Sequence, residues 1–279
     1  MDDEKTRGST VHDLRVPGAR VTYEVLGSGP VVALVGQSIG ADGFRALAQR
    51  LADDHTVVLH DPRGTGRSSL EDPDEGADPE LLADDLARVL RTVTDGPADV
   101  FGASGGAVTA LSLALTHPEL VGTTVAYEPP LVWWLDDGPQ AARQVHGVVE
   151  AHRSHGLDAG LDAFAAFTGF TSPRRERPLP GSPGSDVRVT ERLVLNALEP
   201  ICLYRPDLGT LRGTDRLVVG VGTTSGGELA HRCGRALARA LGTEPAVFPG
   251  HHGGYGGPEV GGVAEAFAVR LREVLAGTR

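Results

Sequence analysis

Residues 99–108 read Asp-Val-Phe-Gly-Ala-Ser-Gly-Gly-Ala-Val: a short apolar run, then Gly102-Ala103-Ser104-Gly105-Gly106, then apolar residues at helical spacing. A Gly-x-Ser-x-Gly between a strand and a helix makes a turn so tight that its flanks must lack side chains. Such a turn lifts Ser104 above the sheet, at the N-terminus of the following helix. Unpaired backbone N–H groups there favour developing negative charge. This is the setting of a nucleophilic hydroxyl, which needs a base to take its proton and a group to orient the base. In a chain with 38 glycines the pentapeptide alone fits a plain strand-to-helix turn equally well, so the partners must be sought elsewhere.

The surrounding pattern alternates strands and helices. Val21–Val25 alternates, Gly27-Ser28-Gly29-Pro30 turns, and Val31–Val35 is apolar throughout, as in a strand covered on both faces. Phe44–Leu51 reads as a helix and Thr56–His60 as a strand. Pro79–Val93 is acidic at its start and apolar at helical spacing, an amphipathic helix with proline in its first turn. The Ser104 strand and a helix through His117 follow, then a strand over Val121–Tyr127. From about Leu131 to Arg205 helical stretches replace strands, with a proline-rich polar loop over Ser172–Ser185. The alternation resumes with a strand over Leu217–Val221, a helix over Glu228–Leu241, a strand over Ala246–Phe248 and a closing helix over Val263–Leu275. The expectation is an α/β fold: a doubly wound, mostly parallel sheet with one helical insertion. The core comprises residues 1–130 and 206–279, and the insertion, a cap, residues 131–205.

In such a sheet ligands bind at the carboxyl ends of the strands. Reading the residues just after each strand collects Gln37, the loop Asp61-Pro62-Arg63-Gly64-Thr65-Gly66-Arg67-Ser68, Ser104, Glu128, Gly222-Thr223-Thr224-Ser225 and Pro249-Gly250-His251-His252-Gly253-Gly254. One edge therefore gathers a serine, a carboxylate and a histidine, in that chain order.

With these residues in place the chain resembles the α/β-hydrolase superfamily, in its capped, serine-dependent form. The resemblance rests on the Asp61–Ser68 loop, the Gly102–Gly106 elbow and the Pro249–Gly254 histidine loop, and it spans about residues 20–275. It implies acyl transfer: Ser104 as nucleophile, His252 as general base at the fourth position of its loop, and an oxyanion hole from the backbone N–H groups of Gly105 and Gln37. His251 is left as a loop-packing or surface residue. The family's usual acid is an aspartate after the penultimate strand, where this chain has Gly222-Thr223-Thr224-Ser225 and no carboxylate. Glu128 is the preferred acid, a placement resembling that of haloalkane dehalogenases. Glu228, expected about a turn into its helix, is the fallback, and a dyad without an acid is the third option.

Other chemistries fit less well. Gly220-Val221-Gly222-Thr223-Thr224-Ser225 approaches a dinucleotide fingerprint, but Ser225 stands where the third glycine is needed and Glu244 opens the next strand rather than closing it. Gly64-Thr65-Gly66 lacks the lysine of a phosphate loop. Nothing implies a metal or organic cofactor. The two cysteines, Cys202 and Cys233, have no metal-ligand or redox spacing and fit a reducing cytoplasm. A net charge of -11 argues against nucleic acid. No apolar run reaches membrane-spanning length, and the charged start Met1–Lys5 lacks the apolar core of a signal peptide. Trp133, Trp134, Phe164, Phe167 and Phe170 concentrate aromatics in the insertion. Trp133, Trp134 and Phe167 are candidate pocket residues, with cap packing as the plain alternative. Arg174, Arg175 and Arg177 read as a solvated loop.

The function expected is a cytoplasmic hydrolase of an ester, lactone or thioester of a small to medium apolar molecule, with a small-molecule substrate and neither nucleic acid nor membrane as a partner. The competing reading is a non-hydrolytic cyclase, lyase or binding protein that uses the same pocket. The missing aspartate motivates it, as does Val35-Gly36 where His-Gly is usual.

Overall fold

The computed structural model describes residues 8–37, 39–169, 191–214 and 216–277. Among these, nine strands form one sheet in the order β1-β2-β4-β3-β6-β7-β8-β9, with β5 pairing outside β2. The strands are β1 (Thr10–Val16), β2 (Ala19–Gly27), β3 (Val31–Val35), β4 (Thr56–Asp61), β5 (Ser69–Leu70), β6 (Ala98–Ala103), β7 (Val121–Tyr127), β8 (Leu217–Gly222) and β9 (Ala246–Phe248). From β4 to β9 every pairing is parallel. β1, β2 and β5 add an antiparallel flank. The sequence pattern did not reveal β1: it lies largely exposed at the sheet edge, so it carries no apolar run to mark it.

The central strands are apolar at every position because both faces are covered. In β3, Val32 and Leu34 enter the core shared with Phe44, Phe101 and Phe267, while Ala33 and Val35 enter the core shared with Leu86 and Val89. On β6, Phe101 and Ala103 face the first core, and Ala98 and Val100 the second. Helix α1 (Arg45–Leu51) and the last helix, α9 (Ala264–Gly277), cover one face. Helices α2 (Pro79–Val93) and α3 (Gly105–Thr116) cover the other. α2 begins as its sequence implies, with Asp78 capping the Glu80 N–H at 2.8 Å and Pro79 in the first turn. α3 is buried continuously from Gly105 to Ala114, so it is apolar all round rather than amphipathic.

Between β7 and β8 the described residues form helices: α4 (Gly138–His155), α5 (Leu157–Thr168), α6 (Leu198–Cys202) and α7 (Leu208–Arg212). α4 and α6 share an apolar core with α8 (Leu229–Leu241) of the sheet layer. The segment containing Phe170, Arg174, Arg175 and Arg177 lies outside the described residues. No described helix is long and apolar enough to cross a membrane.

Candidate active site

Ser104 follows β6 directly and has φ 56° and ψ −124°, a left-handed conformation that a residue with a Cβ adopts only when its surroundings impose it. The imposing contacts are glycine-dependent. A Cβ on Gly106 would fall 2.0 Å from the Val35 carbonyl oxygen, and one on Gly102 would fall 2.3 Å from that of Gly106. Only two bare backbones let β6, β3 and α3 approach this closely. The Ser104 N–H donates to the Tyr127 carbonyl at 2.9 Å, tying the turn to the end of β7.

Glu128, the residue after β7, also has a positive φ, 49°. Ser104 and Glu128 are the two non-glycine residues with positive φ among the described residues, and they stand at the carboxyl ends of adjacent strands. The Glu128 side chain is fully buried. Its Oε2 accepts from His252 Nδ1 at 2.6 Å. Its Oε1 accepts from the Gly222 N–H at 2.8 Å and from the Ser225 hydroxyl, with His231 Nδ1 3.3 Å away. Burial pushes the carboxyl pKa up, but the hydrogen bond and charge of His252, together with the Gly222 and Ser225 donors, outweigh it and hold the group below its ordinary range. An ionised carboxylate can only accept, so Nδ1 of neutral His252 carries the proton and Nε2 the lone pair.

His251 is committed differently. Its Nδ1 accepts from the Gly253 N–H at 3.0 Å, which leaves Nε2–H to donate to the Gly261 carbonyl at 3.1 Å. The Tyr127 hydroxyl donates to the His251 carbonyl at 2.8 Å. These bonds shape the loop that presents His252. The Tyr127 ring stacks beside His252 with centroids 6.4 Å apart.

Glu228 does not sit a turn into its helix. It is the N-cap residue of α8, because its extended backbone (φ −83°, ψ 148°) precedes the first helical residue, Leu229. Its carboxylate, a ring nitrogen of His252 and an oxygen of Glu128 lie within 4.8 Å of one another. This group contains two carboxylates and one histidine, and Glu128 already accepts from His252, Gly222 and Ser225.

Gly105 and Gln37 meet: a Cβ on Gly105 would fall 2.7 Å from Gln37 Cβ and 3.4 Å from Ile201 Cγ2. Gln37 is buried, and its carbonyl accepts from Thr65 Oγ1 at 3.1 Å. The Asp61–Ser68 loop thus acts as scaffold for the Gln37 turn. Asp61 accepts from the Ala41 N–H at 2.7 Å and from Arg67 Nε at 2.7 Å, and Arg63 is fully enclosed by Asp85, Glu75 and the Pro17 carbonyl.

Trp133, Trp134 and Phe167 pack with α4 and α5. Trp133 donates to the Leu203 carbonyl at 2.8 Å, and the Arg205 guanidinium lies 3.7 Å above its ring. Sequence reasoning passed over Ile201, which α6 sets against the elbow, and over Ser225 and His231, which help hold Glu128. Ser225 lies in the segment noted for lacking a carboxylate. That segment supplies donors to a carboxylate from the neighbouring strand instead.

A family model described as alpha/beta hydrolase fold matches residues 29–180. Over 257 residues the chain is 34% identical to "Uncharacterized hydrolase YraK" of Bacillus subtilis (strain 168), covering 87% of this chain and 89% of that one. Over 117 residues it is 35% identical to 2-(acetamidomethylene)succinate hydrolase of Mesorhizobium japonicum, covering 41% of each. Among solved structures, a thermophilic esterase from Thermogutta terrifontis superposes with a TM-score of 0.67 at 20% identity, covering 94% of this chain and 99% of that one. The enol-lactonase from Burkholderia xenovorans LB400 gives a TM-score of 0.67 at 20% identity, covering 95% and 100%.

Proposed function

The chain belongs to the alpha/beta hydrolase fold family, as a hydrolase, and from that premise we propose that it cleaves carboxylic ester-type bonds through an acyl-enzyme on Ser104. One observation carries the reading: a fully buried carboxylate holds His252 by Nδ1 at 2.6 Å, on the sheet edge where Ser104 is forced into a left-handed conformation. A neutral imidazole oriented this way turns its basic nitrogen away from Glu128, as a general base requires.

In the proposed cycle the Ser104 oxygen attacks the substrate carbonyl carbon while its proton moves to Nε2 of His252. The imidazolium is stabilised by Glu128. The carbonyl oxygen becomes an oxyanion facing the N–H groups of Gly105 and Gln37. The C–O or C–S bond then breaks, and the Nε2 proton goes to the leaving group. Water, deprotonated by the same imidazole, hydrolyses the acyl-enzyme and regenerates the serine. Esters, lactones and thioesters share this sequence. The helical segment between β7 and β8 is proposed as the cap, with Ile201 as its contribution beside the elbow.

The test is intact-mass analysis after treatment with a fluorophosphonate, on the parent and on Ser104→Ala. One adduct in the parent and none in the variant is the expected result. A folded parent that takes no adduct overturns the acyl-enzyme reading and favours a non-hydrolytic use of the pocket.

A further inference from the structure

Glu228 is a half-buried acid that the proposed cycle leaves without a task. As N-cap of the 13-residue helix α8 it could accept from that helix's first N–H groups, yet its side chain makes no capping bond. Ser, Thr, Asp and Asn cap well because their short side chains fold back onto the helix end, and the extra methylene of glutamate carries the carboxylate past it. Here it reaches toward the site, within 4.8 Å of both His252 and Glu128. Its Oε2 is shielded from solvent and has no hydrogen-bond partner among the described residues.

Placing a second carboxylate beside an ionised one is unfavourable. Burial, and then the charge of Glu128, raise the Glu228 pKa, and the neighbouring His252 and His251 only partly offset them. Other groups facing this cluster are His231 on α8 and the hydroxyls of Tyr127 and Tyr255, both of which burial keeps protonated. None of them removes the conflict between Glu128 and Glu228. Within the cycle above the conflict is relieved when a positive charge appears beside the two carboxylates, which happens each time His252 becomes an imidazolium.

We propose that Glu228 is a second positioning carboxylate, which together with Glu128 holds the imidazolium of His252 during each proton transfer. The inference rests on the serine-hydrolase reading. In the resting enzyme Glu228 stores electrostatic strain, and in both transition states it is in the right place to release it. Glu128 sets the tautomer through Nδ1. Glu228 makes no tautomer choice and adds only negative potential at the ring.

The sign of the effect follows. A nearby negative charge favours the protonated ring, so removing it makes the ring lose its proton at lower pH. At this separation the effect is roughly one pH unit. The experiment uses Glu228→Gln, which keeps the shape and removes the charge. It compares the NMR titration of the His252 ring with the pH profile of p-nitrophenyl acetate hydrolysis, and includes fluorophosphonate labelling of Ser104. The expected result is a His252 midpoint and an acid limb of kcat/KM that both move to lower pH by about one unit. A three- to tenfold fall in kcat with unchanged KM should accompany them, and the loss should persist in a Glu128→Gln background. An unmoved midpoint and limb, with Ser104 still labelled, overturn the proposal and leave the serine-hydrolase reading intact. A shifted midpoint in a protein whose parent never labels at Ser104 overturns that reading, and the catalytic role of Glu228 with it.

Discussion

Two of the buried charge clusters among the described residues are built from similar residue types. One surrounds Arg63, whose side chain is 1% exposed; the other surrounds Glu128, whose side chain is 0% exposed. Arg63 grips both oxygens of Asp85, at 2.7 and 2.8 Å, and also donates to Glu75 and the Pro17 carbonyl. Its fork geometry is satisfied by two carboxylates and a carbonyl, and none of Arg63, Glu75 and Asp85 has positive φ. The Glu128 cluster has left-handed backbone at two positions, a histidine able to change charge, and a neighbouring carboxylate with an oxygen that has no partner among the described residues. In the first cluster no buried side-chain N or O atom of Arg63 or Asp85 lacks a hydrogen-bond partner. The second carries local strain that the surrounding sheet enforces, and strain of that kind is useful where charge has to move. Burial and hydrogen bonding are shared, so the distinguishing marks are strain and incomplete satisfaction.

The largest effects should come from breaking the strained cluster. Ser104→Ala should reduce ester turnover about a millionfold while leaving the thermal midpoint nearly unchanged, measured by steady-state kinetics and calorimetry. Glu128→Gln should lower kcat about ten-thousandfold, since the amide can present its N–H to Nδ1 and favour the wrong tautomer. KM should change little. If turnover stays near normal, Glu128 only anchors its loop.

Breaking the satisfied cluster should give the reverse signature. Arg63→Met leaves two carboxylates facing each other without their cation and should cost about 3–5 kcal/mol in urea unfolding. The activity per folded molecule should fall far less than in Glu128→Gln. Pairing it with Asp85→Leu should recover much of the stability, because an apolar pair has no charge left to desolvate. A comparable loss of kcat per folded molecule in Arg63→Met would erase the distinction between the clusters.

A buried histidine outside both clusters provides a control. His60 on β4 is 1% exposed, neither ring nitrogen has a hydrogen-bond partner among the described residues, and burial lowers its pKa to about 4, against a small opposing effect of Asp61. In the unfolded chain it binds a proton below about pH 6.5, whereas the folded protein resists protonation until about pH 4. The unfolded state therefore holds more protons in that window, and stability falls as the pH drops through it, by about 3 kcal/mol in total. In His60→Leu this part of the pH dependence should vanish from the urea-unfolding profile. The smallest effect is expected from Ser225→Ala. It removes one of several donors to Glu128 and should lower kcat about tenfold or less, with a stability change of about 1 kcal/mol.

The elbow was legible because its chemistry demands bare backbone at fixed spacing: Gly102 and Gly106 are needed before anything is known of the rest of the fold. The strands β3 and β7 and the helix α2 were legible to the residue, since burial on both faces or on one stripe writes directly into residue order. The edge strand β1 was not, since exposure writes no apolar pattern. The histidine loop was readable as a loop, and its two adjacent histidines differed only by their place in a familiar spacing.

Residue order established the α/β architecture, the glycine-flanked serine and the set of residues gathered at the strand ends. These follow from steric exclusion and hydrophobic periodicity, which act over a few neighbouring positions. Where Glu128 and Glu228 stand relative to His252 was decided by the packed sheet. Glu128 meets His252 across 124 positions of chain, and its other donors come from Gly222 at the end of β8 and Ser225 in the loop after it. Glu228 reaches the same ring because α8 starts where it does. Charge interactions of this kind depend on distance and dielectric in three dimensions, and the order of residues along a chain sets neither until the sheet has closed around them.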